Sequence, residues 1–322
     1  MSIDKYRYSS DFARNWDYFV NHSDNGTIFH LRKFLAYHPP DRFTDASLYF
    51  TRNGKIYAVF PAAIIEQDNE RVLYSHPGAS YGGFVIGEKT GLEDSYTLIE
   101  LVLEHARELG CNKAIITQTP SYYFKKQSSY IDFALHKYDF SLRSRELSSV
   151  LTLHSPADKI YRQFPENLKR ALKKARKSGL SVSTRRNVGE YYDVLKNNLW
   201  MRHNALPTHS LEELEALFGL FPDRIKLHAV KNEKRIVAGT VSFACSSRVN
   251  LAFYISHDHE FQSYRPVDLA IWELIQYSVE KGFDFLDFGT ITVKMEPFWG
   301  LARFKEKFGA RGLFRDTFER RM

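Results

Sequence analysis

Apolar and polar positions change rhythm several times along this 322-residue chain, and each change predicts an element. From Ala46 to Pro77 the runs ASLYFTR, KIYAVFPAAIIEQ and RVLYSHP are rich in β-branched and aromatic residues, separated by Asn53-Gly54 and Asp68-Asn69-Glu70. Asn-Gly readily takes the left-handed conformations of a two-residue hairpin, so three strands in an antiparallel meander are predicted. Helical spacing then runs from Glu93 to Leu109, Gly110 closes that helix, and CNKAIITQ reads as a buried strand. The order returns in the second half, where IKLHAV, a turn at Lys231-Asn232-Glu233-Lys234, RIVAGTVSFAC and VNLAFYI precede LAIWELIQYSVEK, Gly282 and FDFLDF. Such a repeat predicts two copies of one α/β unit, dividing the chain as 1–153 and 154–322.

The remaining segments are simpler. Phe12, Trp16, Phe19 and Val20, then Phe29, Phe34 and Leu35, suit two helices around Asp24-Asn25-Gly26. Tyr122, Tyr123, Tyr130, Phe133 and Leu135 predict one further helix, and ELSSVLTL a strand that completes the first half. Between the halves, Ser155-Pro156 opens a helix, Pro165 restarts it and Gly179 ends it. There Phe164, Leu168, Leu172 and Ala175 form a narrow apolar stripe, while Lys169, Arg170, Lys173, Lys174, Arg176 and Lys177 put six cations into nine positions. A charged ring is commonly a solvated face. Like charges without interleaved carboxylates repel one another, however, which favours phosphate or RNA as a counterpart.

Two other stretches carry candidate chemistry. Pro77 to Gly83 is too rich in glycine for a strand interior, so Tyr81, Gly82 and Gly83 either approach a ligand closely or form a bulge. Trp200 to Ser210 reads as a loop holding His203 and His209, with Ser210 as the N-cap of LEELEALFG. Two histidines six positions apart with no thiol or carboxylate nearby make a poor ligand set, so no metal is expected. Both stand as candidate substrate-loop residues beside a plain packing role.

Composition narrows the classes. The 45 basic and 38 acidic residues leave a formal charge of +7, which favours polyanionic partners without choosing among them. Cys111 and Cys245 are the two cysteines, too few for a disulfide framework or a metal cluster, and they suit a reducing compartment. No stretch approaches the roughly 18 apolar residues of a membrane span, and the first residues have no apolar signal segment, so a cytoplasmic protein is expected. Neither G-x-S-x-G, H-E-x-x-H, a Walker loop nor G-x-G-x-x-G occurs.

The most informative stretch is GFDFLDFGTITVKMEPFWGLARFKEKFG, Gly282 to Gly309. Phe283, Phe285, Leu286 and Phe288 form a buried strand interrupted by Asp287, whose carboxylate must be paired, hydrogen-bonded or sitting at an open end. Gly289 permits a sharp exit, and helical spacing resumes from Trp299 with Leu301, Phe304 and Phe308 on the apolar face and Arg303, Lys305 and Lys307 off it. A carboxylate and a lysine therefore flank one turn. Asp287-Phe288-Gly289, Gly300-Leu301, Phe304-Lys305 and Phe308-Gly309, in that order, resemble the ending of the Fem-type aminoacyltransferases, a branch of the GNAT-fold acyltransferases.

The resemblance implies two tandem GNAT-like domains, each a mixed α/β sheet flanked by helices. It implies N-acyl or aminoacyl transfer to an amine of a cell-wall (peptidoglycan) or cell-surface precursor. Lys305 would hold substrate phosphate or developing negative charge, so its loss should slow transfer with little change in melting temperature. Asp287 would orient the turn, with Phe304, Tyr254, Tyr81, Gly82, Gly83, His203 and His209 as candidate substrate contacts. Lys169, Arg170, Lys173, Lys174 and Lys177 correspond to a basic stretch that opens the family's second domain. No permanently bound cofactor is implied. The co-substrate would be an aminoacyl-tRNA, an acyl-CoA or another acyl carrier, and the partners a phosphate-bearing precursor, tRNA, and a membrane met through a lipid-linked substrate.

Two departures bear on the donor. Acetyl-CoA members of the fold hold pyrophosphate on a glycine-rich turn, and here Gln262 to Asp268 has no glycine, which counts against CoA. Fem-type bridge enzymes carry a long coiled-coil arm, and no heptad insertion of that length occurs, which counts against tRNA. Three readings follow: a Fem-type N-acyltransferase, a CoA- or carrier-dependent acyltransferase of surface polysaccharide or lipid, and a non-catalytic RNA- or phosphate-binding protein on the same fold.

Overall fold

A computed structural model describes residues 2–39, 41–185, 188–233 and 235–322, with Arg185 and His203 described by their backbone alone. The chain forms two compact units, Met1–Leu147 with Phe314–Met322, and Ser148–Leu313.

In the first unit, β1 (Asp4–Arg7) and the helices α1 (Ala13–His22) and α2 (Arg32–Leu35) precede the short β2 (Thr44–Asp45) and the strands β3 (Leu48–Arg52), β4 (Lys55–Phe60), β5 (Ala63–Gln67) and β6 (Glu70–Ser75). Asn53 and Gly54 both have positive φ, 54° and 72°, the pair of left-handed residues that a two-residue turn between twisted strands requires. The single run predicted over KIYAVFPAAIIEQ is in fact two strands. Pro61 offers no N–H to a ladder, and the chain changes sheet there: β4 lies in the order β1-β3-β4-β7, with β7 at Val85–Ile86, and β5 pairs with β6. Helix α3 (Leu92–Glu108) leads to β8 (Lys113–Thr117), which runs parallel to β6. Tyr122 and Tyr123 sit in a separate 3-10 turn ahead of α4 (Tyr130–Lys137), rather than in one helix with Tyr130. The strand β9 (Ser141–Thr152) then contributes residues to both units.

The second unit holds α5 (Ala157–Gln163), the basic helix α6 (Glu166–Lys177), β10 (Leu180–Arg185), α7 (Gly189–His203) and α8 (Leu211–Leu220). After these come the meander β11 (Ile225–Asn232), β12 (Arg235–Ala244) and β13 (Val249–His257), helix α9 (Pro266–Glu280) and β14 (Phe285–Thr290). A small hairpin, β15 (Thr292–Val293) and β16 (Glu296–Pro297), precedes α10 (Trp299–Glu306). Strand order is β10-β11-β12-β13-β14-β9, antiparallel except for the parallel pair β13–β14 that the α9 crossover requires. One face is covered by α5, α6 and α9, through Phe164, Leu168, Leu172, Ile271, Trp272 and Ile275 against Leu286 and Phe288. The parallel pairs β6–β8 and β13–β14, each bridged by one helix, are the repeated unit expected from the sequence.

A last strand, β17 (Arg311–Arg321), was not expected. Its charges, RGLFRDTFERR, hide a partner ladder: Thr317 to Arg321 pair antiparallel with Thr117 to Lys113 of β8 in the first unit.

Candidate active site

Strands β13 and β14 pair at three positions only, Val249, Asn250 and Leu251 with Phe285, Leu286 and Asp287. Beyond Leu251 the two part, although β13 continues to His257 and β14 to Thr290. On its other edge β14 pairs with β9 and breaks register between Asp287 and Thr290. Gly289 occupies this break with φ 73°, a conformation that a Cβ would strain. Asp287 is fully buried, and its carboxylate accepts from the Gly289 N–H at 2.7 Å, a local turn that satisfies part of a charge otherwise costly to bury.

Lys305 approaches the same turn from α10. Its ammonium donates to the carbonyls of Gly289 at 3.1 Å and Thr290 at 2.9 Å. This corrects the predicted face of the helix: Lys305 is buried among Ala302 and Phe308, whereas Leu301 is exposed. Burial pulls the Lys305 pKa down from 10.5 to about 8, and the Asp287 charge opposes that shift. The carboxylate and the lysine thus hold the two sides of one turn, as the spacing suggested.

A cavity of about 870 Å³ opens where the strands part. Ile255 and His257 line it from the free end of β13, and Thr290 and Thr292 from beyond the Gly289 turn. Phe298 to Leu301 and Phe304 close one side from α10, and Asn198, Leu199 and Arg202 another from α7. Lys305 lies beneath this lining, so it fixes the floor from behind. His257 is neutral: burial first, then the Arg202 charge, push its pKa down to about 4. Arg202 donates to its Nε2 at 3.4 Å, and Asn198 to its backbone carbonyl at 2.9 Å.

The N-terminus of α9 forms another wall through Arg265, Pro266, Val267 and Asp268. Arg265 is left-handed with φ 64°, and Pro266 stands first in the helix without an N–H. Asp268 is 2% exposed, with Arg265 Nε at 2.7 Å and the Lys307 ammonium against its other oxygen. Burial lowers the Lys307 pKa against the pull of Asp268.

The other candidates fall elsewhere. Tyr81, Gly82 and Gly83 are buried in the first unit, where a Cβ on Gly82 would strike the Ser75 carbonyl at 2.3 Å and one on Gly83 the Gln118 amide at 1.7 Å. Those glycines serve the chain's own close packing. His209 and Tyr254 meet each other, Nδ1 to hydroxyl at 2.8 Å, with the hydroxyl also accepting from the His209 N–H at 3.2 Å. Neither is among the residues lining the cavity. Tyr254→Phe is expected to cost about 1–2 kcal/mol of stability and leave the KM for substrate unchanged, measured by denaturant unfolding beside steady-state kinetics. The predicted loop from Trp200 begins inside α7, which ends at Asn204 with φ 49°; the His203 side chain lies outside the described residues. On α6, Arg170, Lys173, Lys174 and Lys177 are exposed, while Lys169 is held by Glu166 at 2.9 Å. Among the described residues no cluster of ligating side chains could hold a metal, and no helix is long and apolar enough to cross a membrane.

Residues 162–306 match a family model described as an acetyltransferase (GNAT) domain. No curated protein sequence matches the chain. The solved structure of FemX is similar, with 14% identity and a TM-score of 0.77 over 99% of this chain and 97% of that one. So is the C-terminal domain named for a lysylphosphatidylglycerol synthetase of Agrobacterium fabrum, at 11% identity and TM-score 0.62, covering 96% and 92% of the two chains. A tandem GNAT protein from the clavulanic acid biosynthesis pathway covers 99% and 98%, at 10% identity and TM-score 0.60. At these identities the structures establish the fold, and the domain match marks residues 162–306 as an acyltransferase.

Proposed function

Starting from a Fem-like tandem GNAT fold with an acyltransferase domain at residues 162–306, we infer that the chain transfers an aminoacyl group from a tRNA ester to an amine of a cell-wall or cell-surface precursor. The observation that carries the choice of donor is the closed N-terminus of α9. A pyrophosphate held there would need free N–H groups and an uncompensated positive helix end. Pro266 removes one donor, and the buried Asp268 already supplies the negative charge, matched by Arg265 and Lys307. An incoming CoA pyrophosphate therefore meets a carboxylate. The name of the Agrobacterium neighbour, which refers to a lysyl-bearing lipid, agrees with an aminoacyl donor.

In this reading the amine nitrogen attacks the ester carbonyl within the cavity, the C–N bond forms as the ester C–O bond breaks, and the amine proton leaves with the released hydroxyl. Asp287 and Lys305 hold the turn that presents Thr290 and Thr292 to the reacting atoms, a positioning role. His257, whose Nε2 accepts from Arg202, has its other ring nitrogen protonated and so serves as a hydrogen-bond donor that orients substrate rather than as a base that removes the amine proton. The exposed cations of α6 meet the phosphates of the carrier.

Titration of the purified protein with acyl-CoAs and with charged tRNA tests this. Charged tRNA should bind and give up its labelled amino acid to an amine acceptor, while acyl-CoAs show no micromolar binding. Changing Lys173, Lys174 and Lys177 to Gln should flatten the plot of log affinity for tRNA against log salt by roughly 2 to 3. Micromolar binding and turnover of an acyl-CoA would replace the tRNA donor by CoA.

A further inference from the structure

The cavity has two kinds of lining. Ile255, Val267 and Phe304 are half-buried and pack on the apolar core of the second unit, the cluster that holds Ile271, Trp272, Phe288 and Phe308. The Phe304 ring is backed by the Phe308 ring, centroids 5.6 Å apart, and by the Lys307 ammonium 4.2 Å from its own centroid. These three side chains come from three elements, β13, α9 and α10, so they form an apolar bed that is fixed from behind before any ligand arrives. The polar lining differs: Arg202, Gln262 and Arg265 are exposed and mark the open side. One carboxylate belongs to the lining, that of Asp268, and it is taken up by Arg265 and Lys307.

Position gives the bed a task. Ile255 is the first residue of β13 beyond its last pairing, at Leu251, to line the cavity, and Thr290 of β14 lines the same space. In the proposed reaction the transferred carbonyl lies where these strands part, and the side chain of an aminoacyl group begins one carbon away from it, within reach of the bed. Carrier and polar acceptor approach from the open side. We propose that Ile255, Val267 and Phe304 receive the side chain of the transferred group and select a bulky, uncharged one, leucyl, methionyl or phenylalanyl in kind. A glycyl or alanyl group would leave the bed unfilled and forfeit its apolar contacts. A lysyl or arginyl side chain would bring its charge onto an apolar surface with no free carboxylate in the lining and with Arg202 and Arg265 beside it. The inference rests on acyl transfer in this cavity and deepens that reading by naming the group that is moved.

Equilibrium binding tests the selection without a known acceptor. One tRNA is prepared with leucine, phenylalanine, alanine, glycine or lysine joined through a non-hydrolysable amide, and isovaleryl-CoA and acetyl-CoA serve as a second pair that differs in acyl size alone. Leucyl and phenylalanyl tRNA should bind at least roughly tenfold more tightly than glycyl tRNA, and lysyl tRNA no more tightly than glycyl. Val267→Phe, which puts a ring into the bed, should bring leucyl affinity down to the glycyl level. Ile255→Ala, which enlarges the bed, should shift the preference from leucyl toward phenylalanyl, a change of order that damage to the fold does not produce. Equal affinity for all five acyl groups, or a preference for glycyl, alanyl or lysyl, overturns the proposal and leaves tRNA as the donor. Failure of every tRNA to bind, with isovaleryl-CoA held more tightly than acetyl-CoA, would replace the carrier and keep the selection. Failure of the tRNAs with no preference between the two CoA esters overturns both.

Discussion

Lys305→Met should lower kcat by about a hundredfold, leave KM nearly unchanged, and open a stability gap that widens with pH. The rate effect follows from position: the ammonium ties the Gly289 and Thr290 carbonyls, and Thr290 lines the cavity. A shift of about 1 Å in such a floor typically costs about two orders of magnitude in rate. The stability effect follows from linkage. The native pKa of about 8 lies below the ordinary 10.5, so between these values the unfolded chain binds the proton and the native state does not. Stability therefore rises with pH across that window, by up to about 3 kcal/mol. Below pH 8 the native state bears the cost of burying a charge, which largely offsets its two hydrogen bonds, so Met costs little there. Above pH 8 that cost falls away in the parent, and the substituted protein, which has no amine to titrate, should fall behind. Unfolding in denaturant at pH 7.5 and 10 would measure the gap. Equal gaps at both values, with parental kcat, would leave Lys305 no part in positioning the cavity floor.

Asp268→Asn should lower the melting temperature by about 10 °C and create an anion site. Removing one member of a buried ion pair commonly costs about 3–5 kcal/mol, and here the uncompensated partner is the mostly buried Lys307, since Arg265 can turn to solvent. Here Arg265 and Lys307 would be left beside the positive end of α9. Sulfate or pyrophosphate should then restore melting temperature in proportion to the logarithm of concentration, an effect absent from the parent. A parent protein that pyrophosphate already stabilises would mean that the helix end is open, and the case for a donor other than CoA would lose its support.

Much of this arrangement was legible in residue order. The meander turns at Asn53-Gly54 and Asp68-Asn69 follow from residues that tolerate positive φ, and the apolar stripe of the basic helix from simple periodicity. The Asp287–Gly289–Lys305 turn was legible because a carboxylate in an apolar strand demands a local partner. What escaped notice had a long-range cause. The burial of Lys305 is one case: spacing puts the lysine beside the turn but off the apolar face, and only the Gly289 and Thr290 carbonyls from another element draw it inside. Asp268 and Lys307 are 39 positions apart, and neither type nor spacing announces that they share a helix end. Helix α7 was not legible, and its last residues were read as a loop from Trp200, because its apolar residues do not keep to one face. His257 is an ordinary residue of an alternating strand, made distinctive only by the point where β13 leaves β14.

The return of the chain through β17 bears on how the molecule is made. Residues 148–313 are continuous, so every strand of the second unit is present once they have been synthesised. The first unit is not: β8 waits for residues 317–321, and Arg145 waits for the carboxylate of Asp316, which it grips through two hydrogen bonds of 2.8 and 2.7 Å. The half that emerges first is therefore the one whose strands are complete last. Until then β8 presents an unpaired edge to other nascent chains, and the charge-rich β17 that later covers it is itself a poor template for pairing with them.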